Sequence, residues 1–237
     1  VAFEFRSKDE RPSWRNFWDW AIFVGSAVPA LLWGVAVANL IRGVPIDAKM
    51  QSVGTFWDLL NPYTVVGGLA TVLMFTLHGA LFLALKVEGE LEESARVVAS
   101  KVGPAAVVVL LLLAVFSYAQ TDIFAKVGAG VALSAVPVVL ALAYWLSRSG
   151  RNGWAFVLSG VSVLLYTAAH FLGLFPRVMV SSLKPEWSLT IHNASSSPYT
   201  LKVMTIVALT LVPVVLLYQG WTYWVFRQRV NSKQLEY

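Results

Sequence analysis

Five ionisable side chains lie within or at the ends of long apolar segments of this 237-residue chain. They are Asp19, Asp58, His78, Asp122 and His170. A charged group at the centre of a bilayer costs about 3 kcal/mol or more, so ionisable residues at membrane depth usually serve proton transfer or ligand binding. These five positions are therefore the candidates for any chemistry that the chain performs.

Asp19 is the best candidate for a proton-conducting carboxylate. It lies in Asn16-Phe-Trp-Asp-Trp-Ala, close to the start of the first apolar segment, where it would face the interior of a helical bundle. An alternative stays open, in which Asp19 is an interfacial residue stabilised by the helix dipole and by Arg15, four residues earlier. Asp58 and Asp122 lie at segment ends, and we expect both to be interfacial.

His78 and His170 raise the question of a haem site, because two imidazoles at the same depth on different helices can ligate one iron. With a rise of 1.5 Å per residue, His78 lies roughly 12 Å from one face of the hydrocarbon core and His170 roughly 9 Å from the other. In a core of about 30 Å their levels then differ by roughly 9 Å. We expect each to be a hydrogen-bonded histidine of a polar interior, and we predict no metal site in this chain. A self-sufficient b-type cytochrome that uses both histidines is the alternative.

Six apolar segments position these residues, and each is long enough, or nearly so, to cross a bilayer. They run near 17–39, 62–85, 104–121, 130–147, 154–175 and 200–226. A hydrocarbon core of about 30 Å requires about 20 apolar residues in a helix. Charged residues make up 13% of the chain, against about 25% in a soluble domain. The sequence therefore predicts an all-α, polytopic membrane bundle that forms a single domain over residues 1–237.

Lys and Arg residues are concentrated on one side of the predicted membrane, which carries 12 of them against 6 on the other. The positive-inside rule makes the richer side cytoplasmic and places both ends of the chain there. The net charge of +5 then reflects topology rather than nucleic-acid binding. The richer side holds Arg6, Lys8, Arg11, Arg15, Lys86, Arg96, Lys101, Arg148, Arg151, Arg227, Arg229 and Lys233.

Two segments outside the spans have distinct character. Residues 86–103 predict a charged cytoplasmic helical extension, in which Glu92 and Arg96 have the spacing of an intrahelical ion pair. Residues 176–200 form the longest outer loop, and their Ser, Asn and Pro content predicts irregular structure. Within the spans, Gly25-Ser26-Ala27 and Gly67-Gly68 predict close contacts between helices.

Several classes of function are excluded or left as alternatives. The chain has no cysteine, which excludes disulfides, iron–sulfur clusters and thiolate chemistry. A secondary transporter remains an alternative, although Pro29, Pro137 and Pro213 do not fall at matched positions of two halves, as broken transporter helices do.

Five blocks of sequence resemble, in order, subunit II of the cytochrome bd-type quinol oxidases. The blocks are Phe3-Glu-Phe-Arg-Ser-Lys with Trp14-Arg-Asn-Phe-Trp-Asp-Trp; Gly34-Val-Ala-Val-Ala-Asn-Leu with Arg42-Gly-Val-Pro-Ile; Leu59-Leu-Asn-Pro-Tyr; Thr76-Leu-His-Gly-Ala; and Ser188-Leu-Thr-Ile-His-Asn-Ala-Ser-Ser-Ser followed by Leu201-Lys-Val-Met-Thr and Val212-Pro-Val-Val-Leu-Leu-Tyr-Gln-Gly-Trp. The six spans resemble the last six of the family's nine. We therefore expect the chain, which begins at Val1 without a Met, to be the later part of a longer protein.

The resemblance implies a function at the level of a complex. Such an oxidase oxidises membrane quinol and reduces dioxygen to water in a prokaryotic cell membrane. Two haems b and one haem d are expected in the partner, subunit I, and none in this chain. Subunit II would support that haem-bearing subunit and contribute to proton or dioxygen access, with Asp19 in a matched block. A bound quinone in its apolar interior and a small single-span subunit are further expectations.

Overall fold

The computed structural model describes residues 1–230, which are predominantly helical. A short helix, α1 (Ala2–Arg6), precedes six long ones: α2 (Pro12–Arg42), α3 (Pro62–Lys86), α4 (Glu90–Gln120), α5 (Val127–Arg148), α6 (Asn152–Leu174) and α7 (Pro198–Val225). All six long helices have the length and hydropathy of membrane spans. The predicted polytopic helical bundle is thus confirmed.

The bundle has two chemically distinct ends, because its long helices alternate in direction. The basic end is the one at which α2, α4 and α6 begin and α3, α5 and α7 finish, and the loop end is the opposite one. Asn61 starts α3 at the loop end, where its side chain accepts a hydrogen bond from the Thr64 amide (3.2 Å) and Pro62 takes the first helical position. Both are preferred at helix starts, since Asn satisfies a free amide and proline has none to satisfy.

Helix α4 joins the predicted charged extension and the third span into one continuous helix. Pro104, in its middle, has no amide to bond the carbonyl of Ser100. The Tyr144 hydroxyl of α5 lies 3.5 Å from that carbonyl oxygen, and the Tyr144 ring packs on Gly103. A neighbouring helix therefore compensates for the proline.

The core lies between α3, α4, α5 and α6, with α3 at its centre. Apolar side chains from all four helices fill it at full burial, among them Met74, Leu77, Leu81, Leu110 and Leu140. Helix α2 contributes from Gly34 onward, because its buried residues all lie between Gly34 and Ile41. Within the described part of the chain, no other long helix therefore covers its first half.

Helices α2 and α3 cross on small residues. A Cβ atom at Gly67 would lie 2.9 Å from the Ala38 Cβ, and one at Gly34 would overlap the Gly67 carbonyl. The Thr71 hydroxyl donates a 2.8 Å hydrogen bond across this contact to the carbonyl of Ala30. The predicted close approach at Gly67-Gly68 is confirmed. For Gly25 the same prediction stays a prediction, since nothing within the described residues lies within 4 Å of its would-be Cβ on the first half of α2.

The outer loop is more ordered than its composition suggested. Strand β1 (Arg177–Met179) pairs antiparallel with β2 (Leu189–Thr190), and Val44 bonds both Val180 and Ser182 through its backbone, at 3.0 Å each. The Ser, Asn and Pro content of residues 176–200 predicts irregular structure. The loop after α2 supplies its missing backbone partners, and local composition does not reveal that contact.

Helix α7 is attached to the bundle through the residues that directly follow its last turn, Phe226 and Arg229. None of its residues is buried. Lys86 Nζ donates to the Phe226 carbonyl (2.8 Å), and Arg229 Nη2 donates to the Val87 carbonyl (2.6 Å) and to Glu92 Oε2 (2.7 Å). Glu92 also forms the predicted ion pair with Arg96 (2.7 Å), and the Arg96 hydrogen bond is the main reason that the Glu92 pKa is lowered. Lys233, predicted to be cytoplasmic, lies outside the described residues.

We expect Gly34→Ala to destabilise the chain and Gly153→Ala, at the start of α6, to leave its stability nearly unchanged. The added methyl at Gly34 meets the Gly67 carbonyl and Thr71 Oγ1, whereas at Gly153 it meets open space. Overpacking a close contact costs about 1–3 kcal/mol. Thermal unfolding of the purified oxidase measures the difference, and equal melting temperatures for the two variants would show that the crossing tolerates a larger separation.

Candidate functional site

Asp19 lies on the first half of α2 rather than inside the bundle. Helix α1 folds back along α2, and Arg6 Nη2 contacts Asp19 Oδ2 at 3.2 Å while Arg6 Nε contacts Oδ1. Trp14 Nε1 donates to the Phe5 carbonyl (2.8 Å) and fixes this fold-back. The Asp19 side chain is 48% exposed in the chain alone. Its partner is Arg6, not the Arg15 suggested by helical spacing, because α1 brings Arg6 to the face that carries Asp19.

His78 is a half-buried histidine at the contact of α3 with α6. Its Nδ1 lies 2.7 Å from Ser159 Oγ, and its ring stacks on Phe156 with centroids 4.6 Å apart. The Ser159 hydroxyl itself donates to the Phe156 carbonyl (2.7 Å). It therefore accepts from Nδ1–H, which leaves His78 Nε2 as a hydrogen-bond acceptor.

His170 and Tyr166 form a second polar pair, one helical turn apart on α6. His170 Nδ1 lies 2.7 Å from the Tyr166 carbonyl oxygen, which can only accept, so Nδ1 carries the proton and Nε2 is an acceptor. Both residues are buried, and the Tyr166 hydroxyl has no hydrogen-bond partner among residues 1–230. An unsatisfied buried hydroxyl costs about 1–3 kcal/mol, which marks this place as a candidate binding site.

A cavity of about 150 Å³ lies against this pair, between α2 and α6. Its walls are mostly apolar. Trp33 and Phe171 line it and are strongly exposed, so the cavity opens between them on the outside of the bundle, where lipid would lie. We call it the α2–α6 cavity; its lining is Trp33, Ala36, Val37, Leu40, Tyr166, Thr167, His170, Phe171 and Leu174.

The structure does not bring the two histidines together. His78 bonds Ser159, which precedes His170 by eleven residues on the same helix, and at 1.5 Å per residue that is about 16 Å. One haem iron needs both axial nitrogens within about 2 Å of it, so these residues do not fit bis-histidine ligation. Among residues 1–230, no group of three or more His, Asp or Glu side chains is arranged to hold a metal ion.

The two other carboxylates cap or pair at the loop end. Asp58 accepts from the Thr55 amide (2.7 Å) and hydroxyl (2.9 Å), and these bonds lower the Asp58 pKa. Asp122 pairs with Arg177 at 2.7 Å. Lys126 lies beside the Asp122–Arg177 pair and donates to the carbonyls of Gly173 (2.7 Å) and Phe175 at the end of α6. Desolvation, followed by the charge of Arg177, lowers the Lys126 pKa.

Sequence reasoning missed three of these residues. Arg6 and Lys126 find their partners through folding, across 13 and 47 residues respectively, and no local pattern shows such pairs. Tyr166 did carry a signal, since it lies four residues before His170 on one face of an apolar helix. A tyrosine and a histidine at that spacing share one surface patch.

Comparison with known proteins settles the family. The family model for cytochrome bd terminal oxidase subunit II matches residues 1–226. The chain belongs to this family. It is 42% identical over 236 residues to the cytochrome bd ubiquinol oxidase subunit 2 of Bacillus subtilis, covering 99% of this chain and 70% of that protein. It is 35% identical over 271 residues to the cytochrome bd-I ubiquinol oxidase subunit 2 of Escherichia coli K12, covering 100% of this chain and 72% of that one.

Membership confirms the resemblance seen in the five sequence blocks. The chain is a subunit II of a bd-type quinol oxidase, a multi-pass membrane component of a quinol:dioxygen oxidoreductase. The complex contains a partner subunit and carries haem, as the family name implies. A self-sufficient b-type cytochrome and a secondary transporter are not favoured.

Proposed function

We propose that this chain is the subunit that binds no haem, and that it supports the haem-bearing subunit I, which carries two haems b and one haem d. The separation of His78 from His170 supports the first part of this proposal, and the Arg6–Asp19 pair is the observation that carries the second. It lies on the half of α2 that only the short helix α1, and none of the other long helices among the described residues, covers. Charged groups at membrane depth face protein or water rather than lipid. A second protein surface covering this half of α2 satisfies that requirement.

Within this arrangement, Asp19 is the carboxylate that passes protons toward the oxygen-reducing centre of the partner. It stands near the basic end, and the Trp14–Phe5 hydrogen bond and the contact of Phe5 with Trp18 (5.4 Å between ring centroids) hold the surrounding segment. Because Asp19 lies close to the basic end, a short path along the contact with the partner would connect its carboxylate to water at the membrane surface. Arg6 can release it without a change in the main helices, because α1 is a separate short element.

We expect Asp19→Asn to lower oxidase turnover about a hundredfold, the lower end of what a positioned proton-transfer group contributes. Quinol-dependent oxygen consumption measures turnover, and the reduced-minus-oxidised haem spectrum of the same sample should be unchanged.

Asp9→Asn is the matched control for this prediction. Asp9 also pairs with an arginine, Arg11 at 2.6 Å, but precedes α2. Turnover of Asp19→Asn equal to that of Asp9→Asn would reduce Asp19 to an interfacial residue. A lost haem spectrum would instead assign Asp19 to assembly.

We also propose that the α2–α6 cavity holds the ring of a quinone. A cavity of about 150 Å³ accommodates a six-membered ring. Tyr166 and His170 line the cavity, and a small turn of the Tyr166 ring would let its buried, unpaired hydroxyl donate to a quinone carbonyl, while His170 Nε2 would accept from the hydroxyl of the reduced form. Trp33 and Phe171, the strongly exposed lining residues, place one side of the cavity at the outer surface of the bundle, where an isoprenoid tail can lie. The cavity therefore has apolar walls, with a donor and an acceptor beside them.

Tyr166→Phe should lower the quinone that co-purifies with the oxidase by up to about tenfold at this site, since the lost hydrogen bond contributes about 1 kcal/mol or somewhat more. Solvent extraction and chromatography give the quinone-to-haem ratio. Tyr118→Phe removes a hydroxyl from an exposed position of α4 and should leave the ratio unchanged. Full quinone retention in Tyr166→Phe would assign the bound quinone elsewhere.

The orientation follows from charge. We infer that the basic end of the bundle is cytoplasmic and that both ends of this chain face the cytoplasm of a prokaryotic cell. Of the 12 Lys and Arg residues counted for that side in the sequence, 11 belong to the described part of the chain and lie toward this end of the bundle. The positive-inside rule assigns such an end to the cytoplasm. Three further helices and a small single-span subunit remain predictions from the resemblance.

A further inference from the structure

A second cavity, which is polar and separate from the proposed proton and quinone sites, lies between α4 and α5 at the basic end. Its volume is about 200 Å³. Its walls are one face of α4 and one face of α5, because the contributing positions are three or four residues apart on each helix. The lining residues are Glu93, Arg96, Val97 and Ser100 from α4 and Tyr144, Ser147 and Arg148 from α5.

The cavity presents more hydrogen-bond donors than the chain itself uses. Arg148 has no acidic partner within 4 Å among residues 1–230. Arg96 gives two N–H groups to Glu92 (3.1 and 2.7 Å) and retains three of its five. The Ser147 hydroxyl has no bond within the described residues. Glu93 is the one acidic group of the lining, so the two arginines leave the cavity with a net charge of +1.

The depth of this cavity matches the headgroup layer of a bilayer. Trp145, beside the lining residue Tyr144, is 60% exposed. Exposed tryptophans of membrane helices concentrate at the headgroup level, and Trp154 at the start of α6 is exposed at the same end. Arg148 is the last residue of α5. The hydrogen-bond donors of the cavity therefore lie at the level of the lipid phosphates, where the apolar part of α5 ends at the basic end of the bundle.

We propose that this cavity binds the phosphodiester of an anionic phospholipid from the leaflet at the basic end. Guanidinium groups match phosphate oxygens through paired N–H donors, and basic pockets between membrane helices recognise lipid headgroups. A phosphodiester carries one negative charge, which balances the +1 of the cavity. Arg148 provides the uncommitted guanidinium, Arg96 shares its donors between Glu92 and the lipid, and Ser147 adds a neutral donor.

This lipid site would join α4 to α5 at an end where polar contacts between them are sparse. The 3.5 Å contact of the Tyr144 hydroxyl with the Ser100 carbonyl oxygen is the one side-chain hydrogen bond between α4 and α5 among the described residues. A phosphate contacted by Arg96 and Arg148 adds a charged bridge beside it. The headgroup source is favoured over free phosphate because the donors lie at headgroup depth, where lipid is the most concentrated phosphate.

The test is lipid binding to the purified whole oxidase by native mass spectrometry. The complex is titrated with phosphatidylglycerol, with phosphatidylcholine of the same acyl chains, or with inorganic phosphate. We expect phosphatidylglycerol to bind at least tenfold more tightly than phosphatidylcholine, and phosphate alone to compete weakly. Arg148→Gln should weaken the tightest phosphatidylglycerol site about tenfold, and Ser147→Ala should weaken it by a smaller factor.

Arg151→Gln is the matched control. Arg151 carries the same charge three residues further along, outside the cavity lining, and its replacement should leave the tightest site unchanged. Equal weakening by Arg148→Gln and Arg151→Gln would reduce the effect to general surface charge and overturn the site. Equal affinity for the two lipids would overturn the choice of an anionic headgroup, and phosphate binding as tight as lipid binding would overturn the lipid source. If the Arg148→Gln oxidase does not assemble, Ser147→Ala replaces it in the test, and an unchanged affinity of the tightest phosphatidylglycerol site in Ser147→Ala would then overturn the site.

Discussion

The absence of water in the bilayer core constrains every polar group of this chain. Backbone amides and carbonyls are satisfied within helices, and most hydroxyls in the spans bond a carbonyl of their own helix, as Thr76 does with Val72, Ser134 with Gly130 and Thr167 with Val163. Few polar atoms are then left to act between helices. Those that do so stand out against this background.

These exceptions coincide with the places that organise the bundle or are available for chemistry. Thr71 reaches across to Ala30 where α2 and α3 touch, and Tyr63 bonds Ser117 (3.0 Å) between α3 and α4. His78 bonds Ser159 between α3 and α6. Tyr166 differs from these, because its buried hydroxyl bonds nothing within the described chain, as is also the case for Trp18 Nε1, Asn39 Oδ1 and Asn152 Oδ1. Of these four groups, the Tyr166 hydroxyl is the one on a residue that lines the α2–α6 cavity.

The uncovered surfaces give the same picture at a larger scale. Five of the long helices share a core, whereas α7 and the first half of α2 remain outside it. An apolar surface alone says little, since lipid covers it as well as protein does. The Arg6–Asp19 pair is more informative, because two charges on that surface favour a protein neighbour. These surfaces are thus suited to a subunit whose exposed charged residues are covered by a partner protein.

The sequence predicts the fold well and the site in part. Apolar length alone identifies the six spans, and Asn61-Pro62 marks the start of α3 because a capping side chain and a proline act locally. The Gly25 and Gly67 motifs look alike in sequence, but a partner helix faces Gly67 and none of the described ones faces Gly25. Likewise, the pairing of Asp19 with Arg6 and of Lys126 with the end of α6 arises from folding. Local sequence patterns predict where the helices lie, but they do not predict which residues of different helices come into contact.

The most direct test of the proposed division of labour is the reduced-minus-oxidised absorption spectrum of this chain separated from its partner, compared with that of the intact oxidase. We predict that the intact complex shows the haem bands and that the separated chain shows none, because His78 and His170 are too far apart to share an iron. A Soret band in the separated chain that disappears on His78→Ala or His170→Ala would contradict the account.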